Sequence, residues 1–171
     1  VVNEQGVALA HGERGELEVR GTSVIKEYWN RPDANEEAFH DNWFRTGDMA
    51  YIDEDGDVFI VDRIKDLVIR GGENIGCGAV EAAILEHTAV HEVAVYGVPD
   101  ERLGEEVGAT LYCHENVPAP SADSLREFLN TRLARYEVPR YLAFSPQPLP
   151  RTESGKILKR QLKAEAAELL V

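Results

Sequence analysis

Methionine is almost absent from this chain, Met49 being the single one. The sequence does not open on an initiator, and the expectation is an excised portion of a longer protein. Cysteine is nearly as scarce: Cys77 and Cys113 stand far apart and in no CxxC spacing. That excludes a disulfide scaffold and suits a reducing, cytoplasmic setting. No apolar run approaches the ~20 residues of a bilayer span, and no basic-then-apolar secretory leader is visible. Positive charge is also in deficit, with 18 Lys and Arg against 31 Asp and Glu and a net charge of −13. Such a balance argues against a general nucleic-acid binder and against docking on anionic membrane, because both need clustered cations.

What is present is ordinary for a folded protein: 43% hydrophobic and 29% charged over 171 residues, enough for one domain or a domain with a piece of another. The basic residues are unevenly spread. Arg151, Lys156, Lys159, Arg160 and Lys163 crowd the C-terminal end. That cluster reads either as a local patch for a small anion or as a solvated helix face.

The pattern divides the chain into zones. Residues 1–62 read as short strands and turns: a strand at Leu17–Val19, a short helix over Pro32–Phe39 with proline in its first turn, and a hairpin. The hairpin joins Met49–Ile52 to Val58–Val61 through Asp53-Glu54-Asp55-Gly56-Asp57. So many hairpins make a poor independent core, so the zone reads as the C-terminal tail of a larger N-terminal domain. Residues 63–66 are a linker. Residues 67–171 read as a small α+β domain of about three strands and three helices. Strand signals fall at Leu67–Ile69, Val93–Val98, Val107–Cys113 and Tyr141–Phe144. Helix signals fall near Gly78–Glu86, along the face Leu125, Phe128, Leu129, Leu133 and Tyr136, and from Leu158 to the end. Ser124 and Glu127 have capping-box spacing.

Several motifs fail. Asp53, Asp55 and Asp57 alternate like a calcium loop, but Gly56 is fourth and Ile64 twelfth, where an EF-hand needs Gly sixth and Glu twelfth. His91-Glu92 lacks the second histidine of a zincin helix. Gly155-Lys156 is followed by Ile157 where a phosphate loop needs Ser or Thr. No metal site is expected.

Three segments remain: Trp43-Phe44-Arg45-Thr46-Gly47-Asp48; Asp62-Arg63-Ile64-Lys65-Asp66 followed by Gly71-Gly72-Glu73-Asn74-Ile75; and Pro150-Arg151-Thr152-Glu153-Ser154-Gly155-Lys156. A turn carboxylate such as Asp48 suits a diol, and a lysine on a Pro- and Gly-bounded loop suits a mobile cation. Taken singly, each is equally a surface turn or a charged linker. In this order and spacing they resemble the acyl-adenylate-forming (AMP-binding) enzymes, most closely the acyl-CoA synthetase branch, from about Gly12 to Leu162. The Val-Pro-Asp-Glu-Arg-Leu-Gly-Glu stretch at 98–105 adds to that likeness.

The resemblance implies a fatty-acid–CoA ligase type of activity in the full-length protein, with ATP and CoA as substrates. Asp48 and Arg63 would hold the nucleotide, Lys65 would be the hinge, and Gly71, Gly72 and Glu73 would line the CoA tunnel. Lys156 would be catalytic, bridging the substrate carboxylate and the α-phosphate. Magnesium would accompany ATP on ligands outside this chain. The missing partner would be the N-terminal domain, which carries the phosphate-gripping loop and the acid pocket, and the piece alone would be inactive. One departure is local: Gly76-Cys77-Gly78 stand where the family usually has an aromatic residue and proline. Two alternatives stay open, an adenylation domain serving a carrier protein and a non-catalytic cap or binding module.

Overall fold

The structure is a computed structural model that describes residues 1–169, with side chains described up to Ala166. The chain divides into two compact units, Val1–Lys65 and Asp66–Val171.

The first unit is an antiparallel sheet around one long strand. Its elements are β1 (Gly15–Val19), α1 (Pro32–Ala38), β2 (Phe39–His40), β3 (Trp43–Ile52) and β4 (Val58–Arg63). Strand β3 pairs with all of the others. Asp41 and Asn42 form the tight β2–β3 turn at φ 47° and 66°, the left-handed pair that two-residue hairpins require and that Asp and Asn tolerate. The β3–β4 turn is closed by its own acids: Asp53 Oδ1 accepts the amides of Asp55 and Asp57 at 3.1 and 2.9 Å. The alternating acids of this segment therefore build an Asx turn. Among the described residues of this unit only Ala50 is a buried hydrophobic, while Trp29 is 90% exposed and Ile60 64%.

The second unit is a layered α+β domain. It contains β5 (Leu67–Arg70), β6 (Glu73–Gly76), α2 (Cys77–Leu85), β7 (Val90–Asp100), β8 (Gly104–Cys113), α3 (Ala122–Leu129), β9 (Tyr141–Ser145) and α4 (Lys159–Leu169). The sheet runs β6-β5-β8-β7, with β9 added parallel to β8. Every residue from Val93 to Val98 is buried, the signature of a strand covered on both faces. Val93 and Val95 point into a core with Val80 and Ile84 of α2 and Leu125 and Leu129 of α3. Ala94, Tyr96 and Val98 point the other way, to Leu149 and to Leu162 and Ala166 of α4. The period of two along β7 thus sorts its side chains between the layers.

Three local expectations are corrected. The sheet has five strands rather than about three; Gly71-Gly72 does end β5, but it is also the turn of a β5–β6 hairpin, which adds a strand that was not expected. Helix α3 is capped by Ser121, whose Oγ accepts the Ser124 amide at 3.1 Å, so the cap lies one turn before the expected Ser124. The same helix stops at Leu129 with Asn130 as its C-cap. Leu133 still packs on the core beyond it, whereas Tyr136 is 39% exposed; the apolar spacing outlasts the helix.

Candidate functional site

Asp48 and Arg63, fifteen positions apart in sequence, are cross-strand partners on β3 and β4. The Arg63 Nε and Asp48 Oδ1 form an ion pair at 3.1 Å. Asp48 sits after Gly47, whose φ of 71° kinks the strand, and its amide donates to Thr46 Oγ1 at 3.1 Å. The Asp48 side chain is 18% exposed and that of Arg63 52%. One carboxylate oxygen is thus engaged by the guanidinium, and both side chains reach solvent.

Lys65 is the middle residue of a single 3₁₀ turn, Ile64–Asp66, is exposed, and is the last residue of the first unit.

Gly71, Gly72 and Glu73 form the exposed β5–β6 turn. Both glycines adopt positive φ, 59° and 93°, a conformation costly for a residue with Cβ. Two anchors hold the turn. The Gly71 amide donates to Leu103 O at 2.8 Å, and the Asp100–Leu103 turn that carries this carbonyl is itself capped by Asp100 Oδ1, which accepts Arg102 and Leu103 amides. The second anchor is Arg70, which grips the buried Glu106 of β8 through two bonds of 2.7 and 3.0 Å. Hydrogen bonding to Glu106 raises the Arg70 pKa above its usual value, against the opposing effect of burial.

Lys156 lies in the connection between β9 and α4. Arg151 and Ile157 form an antiparallel bridge, and the Thr152 amide donates to Lys156 O at 2.8 Å. The Lys156 amide returns to Thr152 Oγ1 at 3.1 Å. Gly155 turns the tip at φ 83°. Lys156 is exposed at the end of this small hairpin.

The base of the hairpin is held by a residue that sequence reasoning missed. Glu92 of β7 accepts the Leu149 amide at 2.8 Å on one oxygen and the Arg151 guanidinium at 2.8 Å on the other. Arg151 also donates to Gly155 O at 2.7 Å. Burial pushes the Glu92 carboxyl up, but the Arg151 guanidinium and the Leu149 amide outweigh it and hold the group below the ordinary carboxylate range. The signal available in sequence was an acid placed directly before the strand-forming run Val93 to Val98.

The C-terminal basic cluster is not one anion-receiving patch. Arg151 pairs with Glu92, Lys159 with Glu81 at 2.7 Å and Lys163 with Glu105 at 2.9 Å. Burial works against the charge on Lys159, and Glu81 overrides it, so its pKa is raised. Lys156 and Arg160 stay exposed.

The lysine hairpin and the glycine turn lie in the second unit, and the carboxylate–arginine pair lies on the sheet of the first. Residues 79–156 match the family described as the AMP-binding enzyme C-terminal domain. Over that span the chain carries an AMP-binding enzyme C-terminal domain. It is 42% identical over 165 residues to the long-chain-fatty-acid–CoA ligase FadD13 of Mycobacterium tuberculosis, covering 96% of this chain and 32% of that protein. Among solved structures, it resembles the o-succinylbenzoate CoA synthetase MenE of Bacillus subtilis in complex with the acyl-adenylate OSB-AMP, with TM-score 0.86 and 40% identity over 95% of this chain and 33% of that one. ATP-bound MatB of Rhodopseudomonas palustris matches with TM-score 0.86 and 35% identity over 99% of this chain and 33% of that chain. The chain therefore spans about a third of the length of the relatives it matches. No helix among the described residues is long and apolar enough to cross a membrane.

Proposed function

We propose that this chain works as the C-terminal portion of an ATP-dependent carboxylic acid–CoA ligase. The observation that carries the reading is Lys156, exposed at the tip of a hairpin whose base is braced by Glu92 and Arg151, in a domain matching the AMP-binding C-terminal family. In the first step a substrate carboxylate oxygen attacks the α-phosphorus of ATP; the acyl–phosphate bond forms and pyrophosphate leaves. Both reactants are anionic, and the Lys156 ammonium neutralises charge between them as it moves. In the second step the CoA thiolate attacks the acyl carbon; the thioester forms and AMP leaves.

Asp48 would accept the ribose hydroxyls on its carboxylate, while Arg63, paired with it, would orient that carboxylate and contact the ribose and phosphate. The β5–β6 turn at Gly71, Gly72 and Glu73 would line the pantetheine path, where side-chain-free backbone permits close approach. Lys65, at the junction of the two units, is proposed as the hinge that exchanges one working face of the second unit for another. Magnesium would enter with ATP. Its ligands are assigned to a larger adenylating domain, as the family resemblance implies. That domain would also cover the exposed apolar surface of the first unit, and the setting would be cytoplasmic.

The test is acyl-CoA formation by the intact enzyme given ATP, CoA and a panel of carboxylic acids, followed by mass spectrometry. Acid-dependent acyl-CoA with matching AMP release is expected, and the 171-residue chain alone should form none. Turnover by the isolated chain would refute the two-domain account; no acyl-CoA from the intact enzyme with any acid would refute the ligase reading.

A further inference from the structure

Glu92 lies on β7, in the interior sheet, and is remote in sequence from the hairpin it holds. Its side chain is 13% exposed. Each carboxylate oxygen has one partner on the hairpin: Oε2 takes the Leu149 amide and Oε1 takes the Arg151 guanidinium. The amide is on one side of Pro150 and the guanidinium on the other, so the carboxylate spans the first bend of the hairpin. Arg151 then crosses the hairpin to the Gly155 carbonyl, the peptide immediately before Lys156. The hairpin is fixed to the core at Leu149, which is 2% exposed, and at Ile157, which packs against the same cluster; its base is closed by the Leu158 amide, which donates to Pro150 O at 2.8 Å. Between these points, the chain of contacts Glu92–Arg151–Gly155 is the side-chain brace that runs from the sheet to the peptide carrying Lys156. Glu81 plays no such part: its carboxylate holds the Val95 amide and Lys159, within β7 and α4.

We infer that Glu92, acting through Arg151, is a positioning residue that sets the height and direction of the Lys156 ammonium. The inference rests on the proposed role of Lys156 in adenylation. A lysine has a long stem with many rotamers, and its usefulness to a developing charge depends on where its backbone is held. A displacement of about 1 Å in a charge-stabilising group costs up to about 100-fold in rate. Glu92→Gln keeps the size and the amide-accepting oxygen but removes the charge that draws in Arg151. Arg151→Gln removes the brace from an exposed position and is the variant least able to disturb folding.

Two measurements separate the inference from the reading beneath it. In the chain itself, amide hydrogen exchange at Leu149, Thr152 and Gly155 reports on the hairpin without any reaction. Both variants should exchange faster at Thr152 and Gly155 while the β7 and β8 amides keep wild-type protection. Unchanged protection at both hairpin amides overturns the positioning role, whatever Lys156 does. In the intact enzyme, acid-dependent ATP–pyrophosphate exchange should fall about 10- to 100-fold in each variant. The KM for ATP should stay within about twofold, and thioester formation from preformed acyl-adenylate should stay near wild type. In a Lys156→Ala background, neither variant should slow exchange further. Additive losses, or equal slowing of both half-reactions, would mean that Glu92 merely supports the fold. Full exchange activity in Lys156→Ala would instead overturn the ligase role of Lys156, leaving the hydrogen-exchange result to judge the brace.

Discussion

Replacing Glu106 by alanine should unfold the second unit at markedly lower temperature. Glu106 is 3% exposed and is held by Arg70 at 2.7 and 3.0 Å, with Arg140 at 3.4 Å. Strands β5 and β8 share a single register pair, Arg70↔Gly104, so the guanidinium–carboxylate pair ties together two strands that the backbone barely joins. Removing one partner of a buried pair costs about 3–5 kcal/mol because the other charge is left uncompensated. Arg70 keeps 25% of its side chain in solvent and recovers part of its hydration, which brings the expected loss to about 2–3 kcal/mol. For a domain near 100 residues, that is a fall in Tm of about 10–20 °C. Calorimetry and urea unfolding of the chain would read it. Replacing both partners, Arg70→Met with Glu106→Leu, should lose less than Glu106→Ala alone, since no charge is stranded. A Glu106→Ala variant within about 0.5 kcal/mol of wild type, the scatter of ordinary surface changes, would refute the electrostatic account of how β5 is held.

Other outcomes follow from the same geometry. Lys65→Pro, by fixing φ at the junction of the units, should slow thioester formation more than adenylation in the intact enzyme; equal slowing in half-reaction assays would count against a hinge. Gly155→Ala places a Cβ at φ 83° with open space around it, so its cost is backbone strain alone, about 1–2 kcal/mol. Pyrophosphate exchange should drop, and the Tm of the second unit should fall by about 5–15 °C. The folded pKa of Glu92 lies below its unfolded value. Its stabilisation is therefore present above the unfolded carboxylate range, near pH 4.5, and is lost as pH falls through the folded value. The Tm gap between wild type and Glu92→Gln should be full at pH 7 and close as pH falls below that range.

Much of the architecture is legible in residue patterns. Val93–Val98 and Val107–Cys113 announce strands through their mostly apolar composition, and they lie within β7 and β8. Pro32 opens α1 where proline belongs in a helix. The failures have local causes. Gly71-Gly72 signals a turn, but only pairing with Leu67–Arg70 makes Glu73–Gly76 a strand, and a four-residue segment with Ile75 as its single apolar side chain carries no strand pattern of its own. The helix-like face through Tyr136 misled because Leu133 reaches the core from irregular chain. There Arg132 stacks on Phe128, 3.6 Å from its ring centroid, and binds Glu86 at 2.8 Å. Gly76-Cys77-Gly78 departs from the family pattern, yet Cys77 is 1% exposed at the start of α2, so a small apolar residue anchors the helix. The named candidates Asp48 and Arg63 are legible as motif residues, but their pairing depends on strand register. Glu92 and Glu106 were invisible as site supports because each partner is a distant arginine, chosen by the fold rather than by spacing.

The central claim is that this chain delivers Lys156 to the adenylation step. Its most direct test is acid-dependent ATP–pyrophosphate exchange by the intact enzyme carrying Lys156→Ala, with thioester formation from preformed acyl-adenylate measured alongside. Exchange should fall by about 10²- to 10³-fold, as when a dedicated charge-stabilising donor is removed, and the thioester half-reaction should remain near wild type. Exchange at the wild-type rate would contradict the account.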